Sequence, residues 1–153
     1  VYQDKKKDKY KIRKSEDKEK KLAKALARMT YAFANATCAK VNMITGEAYG
    51  SPYVFMNSKS IGADMVYAWT DAKVGAMDST LAAKILYPEA GAEELKEKAS
   101  DYEKLQSSVA AAAARGYVDR IIDPADSRKY LVAAFEMLYT KYVNEPEKKH
   151  GTK

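Results

Sequence analysis

The sequence predicts an α/β domain in which helices cover a small, mostly parallel sheet. Short β-branched or alternating runs, "AKVNMIT" (39–45), "DMVYAWT" (64–70) and "AKVGAM" (72–77), are separated by segments with helical apolar spacing. Strands divided by helices need crossover connections, which favours parallel pairing. The 153 residues, 46% of them apolar and with 12 Tyr and 1 Trp, are enough for one domain with a proper core and too few for two.

Each element has a local reason. From Leu22, the segment "LAKALARMTYAFANAT" places Leu22, Ala25, Leu26, Met29 and Phe33 at three- and four-residue intervals, an apolar stripe on a helix. The strand at 39–45 ends at Gly46, and Glu47 to Gly50 read as a loop. Ser51 is then a candidate N-cap with Pro52 at the first helical position, where a missing N–H costs least. "YVFMNSKS" reads as a short helix closed by Gly62. Asp78 or Ser79 caps "TLAAKILY", which Pro88 stops. A long amphipathic helix is expected over roughly 92–115, with Leu95, Ala99, Tyr102, Leu105 and Val109 on one side and Gly116 at its end. "YVDRIID" is a short extended piece. Asp123-Pro124-Ala125-Asp126 resembles a cap, a first-turn proline and an acidic third position, opening a final helix with Leu131, Phe135, Leu138 and Tyr142 inward.

The net charge of +6 is confined to one end. Residues 1–24 hold 11 Lys/Arg against 5 Asp/Glu, the whole excess of 6, and the other 129 residues carry 16 of each sign. The domain boundaries expected are therefore a basic arm at 1–24, a folded body at 25–146 and a tail at 147–153. The arm is either a solvated, frayed segment or a grip for an acidic partner. It lacks the aromatic interleaving of a base-reading module, so no nucleic-acid partner is expected. No apolar run approaches a membrane span and no signal peptide is recognisable, which fits a cytoplasmic protein.

Few residues are placed for side-chain chemistry. Cys38 is the single cysteine and His150 the single histidine, so neither a disulfide, a cysteine-based metal cage nor a convincing Cys–His dyad is expected. The Asp residues are scattered without the spacing of an acid–base pair. There is no GxxxxGK[ST] or GxGxxG loop. The alanine-rich stretch "ASDYEKLQSSVAAAAARG" reads as a closely packed helix rather than a catalytic surface. What remains is "AYGSPYV" at 48–54. A tight small-residue loop at a helix start aims backbone N–H groups at one point, either to receive an oxyanion or simply to turn the chain.

The stretch "TYAFANATCAKVNMITGEAYGSPYVFMNSKSIGADMVYAW" (30–69) and the ending "AAARGYVDRIIDPADSRKYLVAAFEML" with "KKHGTK" decide between these. They resemble the C-terminal half of biotin-dependent acyl-CoA carboxyltransferases: the β-type subunits of propionyl- and acetyl-CoA carboxylases and the α subunit of methylmalonyl-CoA decarboxylase. Those proteins carry a "kAYGGAYxxMxSKxLGAD…AWPxAxI" pattern there, and the likeness runs through about residues 25–153. The resemblance implies a crotonase-like (ClpP/crotonase) spiral of ββα turns, here a single C-terminal carboxyltransferase domain. It implies biotin on a partner carrier protein, acyl-CoA as substrate, and a homo- or hetero-oligomer that includes the missing N-terminal half. It gives Ser51 and Pro52 the role of backbone donors to the biotin enolate oxygen and makes Val54 the acyl-selectivity position. Tyr49, Gly50 and Tyr53 shape the same loop. No metal site is implied.

Two departures from that pattern stand out. The family's Gly-Gly-Ala is Gly50-Ser51-Pro52 here, and a proline cannot donate a backbone hydrogen bond. Thr70 replaces the proline of "AWP", and Asp78-Ser79-Thr80 replaces a Gly-Pro-Glu-Gly turn. Two functional expectations follow: a working carboxyltransferase or decarboxylase domain, or a non-catalytic scaffold that keeps the fold with a degraded site.

Overall fold

A computed structural model describes residues 20–144. The tail, His150 and most of the basic arm lie outside the described residues. Helix α1 runs over 20–35, with Leu26, Met29 and Phe33 half-buried and Leu22 exposed. There follow β1 (Val41–Ile44), β2 (Glu47–Tyr49), α2 (Gly50–Phe55), a 3-10 turn (Lys59–Ile61), β3 (Met65–Trp69) and β4 (Lys73–Gly75). The second half contains α3 (Ser79–Leu86), α4 (Ala92–Tyr102) running into a π turn (Glu103–Ser107), α5 (Val109–Ala114), β5 (Arg120–Ile122), a second 3-10 turn (Pro124–Asp126) and α6 (Ser127–Met137).

Two small sheets result, one ordered β1-β3-β5 and one β2-β4, and every strand pairing in them is parallel. Successive units therefore contribute one strand to each sheet before a helix carries the chain onward, which is the ββα spiral expected from the resemblance. Alternation along β3 divides the interior. Val66 and Ala68 face a core shared with Ile44, Val74, Val109 and Ala112. Tyr67, with Met65 and Trp69, faces the opposite side toward Ile122, Ala134 and Tyr130. Trp69 Nε1 donates to Ser127 Oγ at 2.9 Å, tying the start of α6 to the sheet.

Several sequence expectations are corrected. Glu47–Tyr49 is a strand rather than a loop, because its ladder partner β4 lies alongside. Tyr49, with extended backbone, precedes α2, so Ser51 is not the N-cap and Pro52 is the third helical residue rather than the first. That helix ends at Phe55. Asn57 takes a left-handed conformation (φ 58°), and Gly62 closes only the following 3-10 turn, at φ 96°. The long helix over 92–115 breaks in its middle, where Ser108 adopts extended backbone and caps α5 through its hydroxyl. Asp78 does cap α3, accepting from Thr80 and Leu81 N–H, whereas Asp123 makes no side-chain cap. Leu105, Phe135 and Tyr142 are exposed rather than inward. Exposed apolar side chains also line α3, at Leu81, Ile85 and Leu86.

The β2-β4 sheet ends where Tyr49 lies opposite Gly75. Gly50 has φ 62°, and a Cβ there would sit 3.1 Å from the Ala76 carbonyl oxygen. A Cβ on Gly75 would sit 2.9 Å from Ser107 Oγ. Both glycines thus permit close backbone approach, the first also a left-handed conformation.

A partly buried clamp holds the far end. Asp64 Oδ2 accepts from Lys40 N–H at 2.7 Å and from Lys141 Nζ at 2.8 Å, and Lys141 also reaches the Cys38 carbonyl at 3.0 Å. Burial pushes the Asp64 carboxyl up, but the hydrogen bonds from Lys141 and Lys40 outweigh it and hold the pKa below the usual Asp value. A depressed folded-state pKa contributes stability that is present above about pH 4 and fades as pH falls through the folded value. Replacing Asp64 by Asn is expected to destabilise the chain by about 1.5–3 kcal/mol at neutral pH. In urea titrations, the gap to the wild type should narrow toward about pH 2, and a gap independent of pH would contradict the clamp. Gly50→Ala should lower stability by about 1–2 kcal/mol in the same titrations; no loss would mean that neither the left-handed backbone nor the Ala76 carbonyl constrains this position.

Candidate functional site

The corner made by β2, α2 and β4 opens on two sides. One side is a cleft of about 550 Å³. Gly50, Tyr53 and Val54 form its α2 wall, Val74, Gly75 and Ala76 its floor, and Tyr102, Gln106, Arg115 and Tyr117 its opposite wall, with Ser60 at its edge. The other side is a groove of about 440 Å³ between β1, the β1–β2 turn and α2, where Tyr49, Pro52, Tyr53 and Met56 are exposed to a ligand. Tyr53 alone among the sequence-predicted residues borders both. Ser51 and Pro52 are both exposed. The corner is open to solvent.

The residues predicted from sequence therefore separate into two sets. Gly50, Tyr53 and Val54 meet at the cleft, Tyr49 and Pro52 turn to the groove, and Ser51 borders neither. An α-helix leaves its first amides without intrahelical partners, and in α2 Pro52 subtracts one of these donors. Its carbonyl still serves the helix, accepting from Met56 N–H at 3.1 Å.

The two phenols at the corner, Tyr49 and Tyr53, are neutral hydrogen-bonding groups. Tyr53 Oη is buried and has no hydrogen-bond partner among the described residues. Burial, then the nearby Tyr117, raises the Tyr53 pKa, so its hydroxyl stays protonated. Burial, then Glu47, does the same for Tyr49. Neither phenol is a base at neutral pH. Among the described residues, no three His, Cys, Asp or Glu side chains gather as a metal site, and no helix is long and apolar enough to cross a membrane.

The opposite wall comes from the alanine-rich region that sequence reasoning had set aside as packing. The π turn puts Tyr102 and Gln106 on the cleft. At the end of α5, Gly116 (φ 79°) closes a Schellman motif, with Gly116 N–H on Ala113 O and Tyr117 N–H on Ala112 O, both at 3.0 Å. This reversal places Arg115 and Tyr117 at the mouth. Gly116 was legible as a helix stop, but nothing in the local spacing indicated that its neighbours face a cavity.

Comparison with known proteins agrees with this architecture. Residues 14–152 match the family "Carboxyl transferase domain", a match that reaches into the basic arm. The putative propionyl-CoA carboxylase beta chain of Bacillus subtilis is 46% identical over 131 residues, covering 82% of this chain and 26% of that protein. The methylmalonyl-CoA decarboxylase subunit alpha of Propionigenium modestum is 40% identical over 131 residues, covering 82% of this chain and 25% of that protein. Among solved structures, the transcarboxylase 12S hexamer with methylmalonyl-coenzyme A and methylmalonic acid bound superposes with a TM-score of 0.80 at 38% identity, over 84% of this chain and 25% of that one. The chain thus spans about a quarter of the length of these relatives. With the parallel ββα spiral and these likenesses together, the chain belongs to the carboxyl transferase domain family and has its crotonase-like fold.

Proposed function

We propose that this chain is the biotin-receiving C-terminal part of an acyl-CoA carboxyltransferase or decarboxylase, working with a separate N-terminal half and a biotinylated carrier protein in the cytoplasm. The observation that carries this reading is the open corner itself. The family's "AYG" loop leads into a helix whose Gly50, Tyr53 and Val54 line one cavity and whose Pro52 and Tyr53 line the other, with Ser51 exposed beside them. A neutral ureido ring fits such a place, because ligand sites are mostly apolar with a few fixed polar groups.

Biotin, when bound, supplies a ring nitrogen that carries the carboxyl group between donor and acceptor. The chain's own contribution is positioning and electrostatic stabilisation rather than a side-chain nucleophile. The Ser51 N–H is the donor left at the two positions the family uses for the biotin oxygen. Pro52 keeps the helix but gives no second donor. Val54, on the cleft wall, presents an aliphatic surface to the acyl group. The transcarboxylase relative is a hexamer. The exposed apolar residues of α3 and α6 are surfaces for an N-terminal carboxyltransferase half or for further copies.

Pro52's missing N–H also supports a second reading, a scaffold domain without activity. One change separates the two. In an assembly of this chain with an N-terminal carboxyltransferase half and a biotinylated carrier, Pro52→Ala is expected to leave folding intact. It should raise biotin-dependent transfer or decarboxylation by up to about 100- to 1000-fold, the worth of one oxyanion donor. A measurable but unchanged or lower rate would show that Ser51 and Pro52 do not face the reacting oxygen. No rate from either chain would favour the scaffold.

A further inference from the structure

We propose that Arg115 is the carboxylate-recognising residue of the cleft, holding the free carboxylate of a malonyl-type acyl group. The identity of that ligand rests on the function proposed above; the anion preference rests on the geometry alone. Arg115 Nη1 donates to the Gln106 carbonyl at 3.1 Å, and Nη2 donates to the Leu105 carbonyl at 3.0 Å and to Gln106 Oε1 at 2.6 Å. All three acceptors are neutral, and no salt bridge among the described residues includes Arg115. No Asp or Glu lines the cleft. A guanidinium stays charged at any physiological pH, so a full positive charge sits uncompensated at the mouth.

The carbonyls that hold Arg115 come from the π turn, where the interrupted ladder frees backbone oxygens, and π turns recur at functional sites. Capping these oxygens is a structural task, and it also fixes the guanidinium in one orientation. A guanidinium has five N–H donors and the three bonds use one on Nη1 and both on Nη2, which leaves the Nε and one Nη1 hydrogen unpaired. Val54, Tyr102 and Tyr117 line the same cleft. The cleft therefore offers an aliphatic contact, hydroxyl groups and one fixed cation, a set that suits a short acyl chain ending in a carboxylate and not a neutral acyl chain alone.

The test uses the full chain with malonate as probe and neutral malonamide as control, following the backbone amides of Gly50, Gly75 and Ala76 by NMR. Malonate should bind saturably, and Arg115→Gln should weaken it about 10- to 100-fold while malonamide binding stays as in the wild type. Arg115→Lys, which keeps the charge without the fixed orientation that the π-turn carbonyls give the guanidinium, should fall between. Equal losses for malonate and malonamide would show that Arg115 only braces the π turn and would overturn the proposal, as would the absence of any saturable response to malonate. The two readings fail separately. A wild-type chain that binds malonate through Arg115 while its assembly performs no biotin-dependent transfer keeps the anion site and loses the function. An active assembly whose Arg115→Gln variant keeps the wild-type KM for a malonyl-type CoA loses the anion site and keeps the function.

Discussion

Three backbones converge where β2 and β4 end, and the whole site depends on how closely they pack. The parallel register sets Tyr49 opposite Gly75, so the chain leaving β2 must pass beside the chain leaving β4. Gly50 makes that passage with a left-handed backbone against the Ala76 carbonyl, and Gly75 lies against Ser107 of the π turn. Side chains at either position would force the walls apart. Because they are absent, the start of α2, the end of β4 and the π turn enclose one cleft, and Arg115 is carried to its mouth by the short helix that follows. The hydrophobic core behind this corner, Val66, Ala68, Val74, Val109 and Ala112, is built from small and β-branched residues that let the two sheets and α5 pack closely.

Much of this was legible in the residues. Alternation identified β1, β3 and β4, and Asp78 and Gly116 marked the ends they mark in the fold. The failures have physical causes. Glu47–Tyr49 is three residues long with Glu47 exposed, so only its pairing with Lys73–Gly75 identifies it as a strand. The spacing of Leu95, Ala99 and Tyr102 continues smoothly into Leu105, so the sequence carries no sign of the π turn. Helical periodicity gave α6 an apolar face, but it cannot say whether that face has a cover, and Phe135 and Tyr139 are left exposed. The site divides likewise. The Gly-Ser-Pro break drew attention to the corner of β2, α2 and β4, and the family resemblance implies roles for its residues. Arg115 escaped because its contacts, nine and ten residues back in the chain, exist only once the π turn has formed.

The departures from the family pattern fall where the fold tolerates them. Pro52 occupies the first turn of α2, where no helical hydrogen bond needs its N–H. Asp78 and Ser79, in place of a glycine-rich turn, cap α3 and contact Glu103 respectively, so that replacement is structurally compensated. Stability and chemistry can therefore diverge at this corner, with the scaffold intact while the number of donors changes.

The most direct measurement is an NMR titration of the full chain with a biotinylated carrier peptide, following the backbone amides from Gly50 to Val54. The account predicts saturable shifts centred on Ser51 and its neighbours, with the Asp64–Lys141 end of the fold unaffected. Shifts that avoid this loop, or none at all when an N-terminal half is also bound, would contradict it.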